Sequence, residues 1–397
     1  MATERKKKRG TELAYLAPFG AYLREIRQRK GLSLADVESL SERSSDPINK
    51  GYLSRVENGQ QSIAFSKLIT LARIYDCPPG ALVDRLELDM EAASVEVPEF
   101  DSMEACLRWS RQRSNRGEPQ HSYAAVRNYR LRSTLDSEKH RLTVTLTTPA
   151  IFLGKYEYTE FELKTELSVV DSENSEHLSF LHERLATLFF RRENYIEANR
   201  HSSKALELAK DSGSADRIFH AHYAHATGLL QQKKFREAID ELVKAYELSK
   251  EFEDSILGGK VLSSLASAYL GQKQFAAARR AITAAQKNFR TNKARASQAL
   301  LSTFLGQIEF QQGDYRKAEI HYRDSLDLLK GFSRHRFRFF TEIRLLELAV
   351  TQGNQAMARA VLRRLKRLRP WFPKEAELER DYGLLETELH ARNMLDR

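Results

Sequence analysis

Alanine returns every forty residues along the second half of the chain, at Ala198, Ala238, Ala278, Ala318 and Ala358, each inside a similar stretch of about thirty residues. A fixed period of this length marks a helical-repeat array, because each unit is one supersecondary element that buries its apolar face only by stacking on its neighbours. Other columns keep the period. Ala186, Ala226, Ala266, Gly306 and Leu346 form a small or apolar column, Tyr195, Phe235, Phe275 and Tyr315 an aromatic one, and Ala205, Ala245, Ala285, Ser325 and Leu365 a third. The small residues allow two antiparallel helices to approach closely, the Gly or charged pair before the aromatic makes the turn, and the aromatic fills the gap between units. Such columns build a solenoid and are silent about its ligand.

The pattern resembles the tetratricopeptide (TPR) family, whose usual repeat is about 34 residues. Here five units of forty residues span 176–392, and the extra residues fall in polar connectors such as Asp211-Ser212-Gly213-Ser214. The match weakens in the last unit, where Gln355 replaces the aromatic. In that family the first helix of each pair lines the groove. The resemblance therefore places Glu183, Tyr223, Ser263, Thr303 and Ile343 in one groove column, Thr187, Thr227, Ser267, Gln307 and Glu347 in the next, and Phe190 and Phe310 beyond them. A ladder of donors and acceptors with interleaved aromatics suits an extended peptide or protein segment. Packing of the array on a second copy is the competing use.

The first quarter has a different texture. Pro18 to Lys30 is an amphipathic helix with Phe19, Leu23 and Ile26 inward, stopped by Gly31. Ser33 caps a second helix with Leu34, Val37 and Leu40 on its apolar face. A short helix from Asn49 ends at Gly59, and another runs from Phe65 to Tyr75. The ordered run Tyr52-Leu53-Ser54-Arg55-Val56-Glu57-Asn58-Gly59, together with Gly31-Leu32-Ser33, resembles the Cro and lambda-repressor type (XRE) helix-turn-helix. That resemblance implies a five-helix domain over 15–88 whose recognition helix enters the major groove of double-stranded DNA. Lys50, Gly51, Ser54 and Arg55 would then face bases or phosphates, Asn58 and Gln60 the backbone, with Ser33, Asn49 and Tyr52 completing the DNA-facing set. Leu53 and Val56 should point inward and Glu57 should pair with a cation. The sequence departs from the family at Leu34, where a polar residue is usual, and in the turn Ser41 to Ile48, which is about five residues longer.

A formal charge of +10 and a pI near 9.4 suit a polyanionic partner. Arg5 to Arg9 form a basic arm within residues 1–14, fit to track phosphates. Between Arg334 and Arg369 ten Lys or Arg face only two acids, which reads as a solvated cationic surface or a second polyanion contact. With 41% apolar and 30% charged residues, no stretch nears the roughly 18 apolar residues of a membrane span. Cys77 and Cys106 have no metal-ligand spacing, and the chain is expected in the cytoplasm.

Residues 89–175 connect the two parts and read two ways. Arg141 to Thr148 alternates like a strand, while Gly154-Lys155-Tyr156 resembles a repeat turn, which would make the segment a degenerate first repeat interrupted by Pro149. No phosphate loop, nucleophile elbow or zinc motif occurs, so neither an enzyme nor a cofactor is expected. His222 and His225 share a helical face, but no third ligand joins them, and they read as exposed histidines.

The expected molecule is all-α, a five-helix helix-turn-helix domain followed by a TPR-like solenoid. Its architecture resembles the peptide-responsive bacterial regulators of the RRNPP group, which implies a homodimeric transcriptional regulator with a sensor or oligomerisation array. The alternative is an interaction scaffold whose helix-turn-helix docks protein.

Overall fold

Wherever the forty-residue alanine appears, two helices touch. In a computed structural model, which describes residues 14–252, 255–291, 294–331, 336–371 and 376–392, the described residues form twenty α-helices and no strand. The chain divides after Val169 into two units.

The second unit is a run of helical hairpins: α10 (Ser175–Arg191) with α11 (Tyr195–Ser212), α12 (Ala215–Gln231) with α13 (Phe235–Ser249), and α14 (Ser255–Gly271) with α15 (Phe275–Thr291). Then come α16 (Arg295–Gln311) with α17 (Tyr315–Leu328), α18 (Arg336–Thr351) with α19 (Gln355–Leu368), and a last helix, α20 (Ala376–Ala391). Ala198, Ala238, Ala278, Ala318 and Ala358 are all fully buried, as are Ala186, Ala226 and Ala266 in the facing column. The turns repeat as faithfully. Glu193, Lys233 and Lys273 adopt left-handed φ of 55°, 59° and 57°, and in the last two units the same place is taken by Gly313 and Gly353. The following residue then caps the second helix in three units, through the side chains of Asn194, Asp314 and Asn354. The aromatic column bridges units: a Cβ on Gly271, at the end of α14, would lie 2.3 Å from the ring of Phe235, which starts the second helix of the preceding unit. A different pair makes a similarly close contact between the first two units, where a Cβ on Gly228 of α12 would meet the ring of Phe190 at the end of α10.

The first unit holds α1 (Leu16–Arg29), α2 (Leu34–Ser41), α3 (Lys50–Glu57), α4 (Phe65–Ile74) and α5 (Pro79–Ala93), followed by α6 (Met103–Asn115), α7 (Pro119–Arg132), α8 (Asp136–Phe152) and α9 (Tyr156–Val169). One apolar core runs through all nine, from Phe19 and Leu23 to Leu142 and Tyr158. The domain boundary expected at 88 coincides with no gap in this core. It falls inside α5, whose Leu88 and Ala92 are buried, and the helices of 103–169 close the same core.

The strand reading of 141–148 also gives way to helix. Leu142, Thr143, Val144, Leu146 and Thr147 are all buried, so this part of α8 is covered almost all round and its 3.6-residue period is masked. Thr143, Thr145 and Thr147 turn their hydroxyls back onto the carbonyls of Lys139, Arg141 and Val144.

Polar groups tie α1 to this second layer. Tyr22 donates to Glu162 on α9 at 2.7 Å, and Arg130 on α7 grips Glu25 with nitrogen–oxygen distances of 2.5 and 3.0 Å. Arg85 of α5 lies 4.3 Å from the Tyr22 ring centre and pairs with Asp89, which also accepts from Arg127.

Candidate nucleic-acid interface

The α3 helix has one anchored side and one open side. Leu53 and Val56 are buried in the core, and Glu57, only 3% exposed, receives both Arg27 Nε at 2.7 Å and Arg27 Nη2 at 2.8 Å. The bond from Glu57 leads the influences that raise the Arg27 pKa, so the guanidinium is charged throughout the ordinary pH range. Opposite, Lys50, Gly51 and Arg55 are exposed and Ser54 half-exposed. Residues three to five apart on a helix share a face, which is the spacing needed for several side chains to reach one groove.

Local bonds hold that face. The Asn49 side chain caps α3 by accepting from Tyr52 N at 2.7 Å, and Ser33 caps α2 in a reciprocal capping box with Asp36. Both oxygens are therefore engaged in starting helices, and Ser33 and Asn49 organise the local backbone of this face. The Tyr52 hydroxyl donates to Ser62 O and accepts from Ala64 N, pinning the strand of chain between α3 and α4. Asn58 closes α3 by donating to Ser54 O, and its own oxygen accepts from Arg24 Nη2 at 2.6 Å. Arg55 Nε donates to Gln61 Oε1 at 3.0 Å, while Gln60 is exposed beside it.

The two departures from the family pattern have structural answers. Leu34 packs on the domain core. The long turn between α2 and α3 folds back on α4: Asp46 accepts from Ser66 Oγ at 2.5 Å and pairs with Lys67, whose ammonium also bonds Pro47 O. Arg24 was not singled out by sequence. It sits one turn before Arg27 on α1, and only the fold reveals that it reaches Asn58. The basic arm Arg5 to Arg9 lies outside the described residues.

In the array the expected groove columns separate. The column Glu183, Ser263, Thr303 and Ile343 is buried, with Tyr223 half-buried, so this column is corrected from groove lining to interhelical packing. Thr303 bonds Ser325 and Thr341 at 2.9 and 2.8 Å, and Glu183 pairs with Arg184 and Arg217. Tyr223 meets Ser264 at 3.3 Å. The next column, Thr187, Thr227, Ser267 and Gln307, is half-exposed, as is Phe310, whose ring packs on Tyr315. The histidines are likewise corrected: His222 is 7% exposed and bonds Glu241 at 2.5 Å, while His225 meets Ser202 at 2.9 Å. The bond from His222 leads the influences that hold the Glu241 carboxyl at about 2.

Residues 18–86 match the family model of a helix-turn-helix domain. Among solved structures, a Rap protein complexed with Competence and Sporulation Factor overlays with a TM-score of 0.56 at 13% identity, covering 74% of this chain and 87% of that one. A signal-transduction ATPase with a tetratricopeptide-repeat sensor from Pyrococcus horikoshii scores 0.50 at 13% identity and covers 87% of this chain, which spans 55% of its length. Bacillus thuringiensis PlcR in complex with the peptide PapR7 and DNA overlays at 0.44 and 18% identity, over 72% of this chain and 99% of that one. No curated protein sequence matches the chain. The protein joins a helix-turn-helix domain to an array of TPR-like helical hairpins.

Proposed function

We propose that the protein is a sequence-specific transcriptional regulator that binds double-stranded DNA as a homodimer through α3, and that its array senses a peptide or protein segment or holds the dimer together. The observation that carries the reading is the split character of α3, locked inward by Leu53, Val56 and Glu57 and open outward at Lys50, Ser54 and Arg55. Side chains at such a helix start read base edges while neighbouring polar groups hold phosphates. Two copies fit the reading because helix-turn-helix dimers read paired half-sites one helical turn apart. The formal charge of +10 favours encounter with a polyanion.

A peptide ligand is supported by the array's likeness in fold to the Rap protein held with Competence and Sporulation Factor. On this chain, Thr187, Thr227, Ser267 and Gln307 are the half-exposed polar groups one period apart that would meet a peptide backbone.

The test is capture of fragmented genomic DNA on the full-length protein followed by sequencing. A shared palindromic site among the captured fragments supports the reading. Capture without any common sequence contradicts it.

A further inference from the structure

Two neighbouring cavities on the array are the same place, one repeat apart. The first, of about 430 Å³, is walled by α17 and α19 and floored by α18; the second, of about 480 Å³, is walled by α15 and α17 and floored by α16. Forty residues carry Gln286 to Leu326, Arg290 to Lys330, Gln298 to Arg338, Ser302 to Glu342 and Asp324 to Arg364, and every one of these residues lines its cavity. Asp327 lines both, so the two form one trough running over successive second helices.

The half nearer the chain's end differs in chemistry. Its middle is apolar: Leu345 and Val361 are buried floor, and Leu326 and Met357 are half-exposed above them. Its rim is cationic. Arg323, Lys330, Arg338 and Arg364 stand around it with Asp327 and Glu342 as the acids of the lining; Arg323 is paired outside the lining with Glu319, and Lys330 with Asp327 at 2.9 Å. Arg338 has no ion-pair partner among the described residues. Glu342, fully buried, holds Arg364 by its Nε at 2.8 Å, which leaves the terminal nitrogens of that guanidinium directed elsewhere. Neither α15 nor α19 contains a single acidic residue, whereas the intervening α17 has three.

Each wall presents a helical stripe, with residues 323, 326 and 327 on α17, extended by Lys330 in the turn that follows it, and 357, 360, 361 and 364 on α19. Residues at i, i+3, i+4 and i+7 share one helix face, so the two facing stripes frame a slot in which an amphipathic segment can lie. We infer that this trough is a docking site for an acidic protein segment with an apolar centre, which lays its apolar side chains on Leu326, Met357 and Val361 and its carboxylates against Lys330, Arg338 and Arg364. Charge complementarity selects the sign of the partner, and the apolar floor selects its class. A nucleic acid would satisfy the rim with phosphates but would leave Leu326 and Met357 unused. No residue of the α3 face or of the half-exposed column at Thr187 to Gln307 is among those that line the trough.

The experiment pans a random displayed peptide library against the full-length protein and measures the enriched peptides by fluorescence polarisation. The expected sequences are acidic with apolar residues at helical spacing. Their affinity should fall about tenfold or more in the Lys330→Glu/Arg338→Glu double variant. It should also fall in Met357→Gln, and it should be unchanged in Arg55→Ala. Melting curves of the variants establish that the fold is kept. Enrichment of no acidic sequence, or equal binding to wild type and the double variant, overturns the inference. Loss of duplex DNA binding in the double variant with no peptide selected also overturns it and gives the trough to nucleic acid.

Discussion

Arg27 on α1 and Glu57 at the end of α3 form a two-pronged pair, with nitrogen–oxygen distances of 2.7 and 2.8 Å, and both side chains are withdrawn from solvent. This pair sets the pitch of α3 on the domain, because Glu57 immediately follows the buried Val56. Removing Arg27 leaves Glu57 buried with only Arg24 Nε, at 3.4 Å, to offset its charge, at a cost of up to about 3–5 kcal/mol. Arg27→Ala should lower the amide protection of α1 and α3 by that amount in hydrogen exchange on the full chain, with α10 to α19 unaffected. Equal protection in the two proteins would show that α3 is held by its apolar contacts alone.

The tie between Glu25 and Arg130 makes a pH prediction. Burial opposes the charge on Glu25, yet the Arg130 and Arg29 guanidiniums hold its carboxyl at about 2. A folded-state value below the unfolded one means that the contribution is present above pH ~4 and is lost as pH falls toward 2. Glu25 is partly exposed, so solvent screening limits the effect to about 1–2 kcal/mol. Protection of α1 and α7 should therefore drop between pH 6 and pH 3, and Glu25→Gln should flatten that drop. A drop of the same size in the variant would assign it to other carboxyls.

Within the array, Gly306 and Tyr322 replace a pair that other repeats build differently. A Cβ on Gly306 would lie 2.4 Å from the Tyr322 ring, and Tyr322 is fully buried. One and two periods earlier the corresponding residues are Ala266 with Ile282 and Ala226 with Leu242, all buried. Gly306→Ala should destabilise by roughly 1–3 kcal/mol through overpacking. Adding Tyr322→Leu should recover most of that loss by rebuilding the Ala–Leu pair, whereas additive losses in a thermal melt would refute the pairing.

The array's framework was legible because a helix–helix contact demands small residues at fixed places, and that demand is written five times in the column of Ala198 and four times in that of Ala226. The inward side of α3 was legible for a similar reason, since Leu53, Val56 and Glu57 sit in an ordered motif. The partner of Glu57 was not, because Arg27 lies thirty residues away and nothing in its local sequence sets it apart from Arg24 or Arg29. Thr303 and Glu183 were misplaced into a groove because both faces of a first helix pack on neighbours here, and a polar residue in the column can be buried when hydroxyls such as Ser325 and Thr341 meet it. The alternation of Leu142, Val144 and Leu146 kept a strand open beside the helical reading for the opposite reason: a helix buried on nearly all sides here has no exposed face to reveal its period.

The central claim is that α3 reads DNA sequence, and Arg55 is its sharpest test. Arg55 is exposed, lies on the open face with Lys50 and Ser54, and its guanidinium is steadied by Gln61 at 3.0 Å. The decisive measurement is the affinity of wild type and Arg55→Ala for a captured site and for a random duplex of equal length at one salt concentration. The account predicts a loss of roughly 1–3 kcal/mol on the captured site and little change on the random duplex. An equal loss on both would reduce Arg55 to a phosphate contact, and no loss on either would contradict the assignment of α3 as the reading helix.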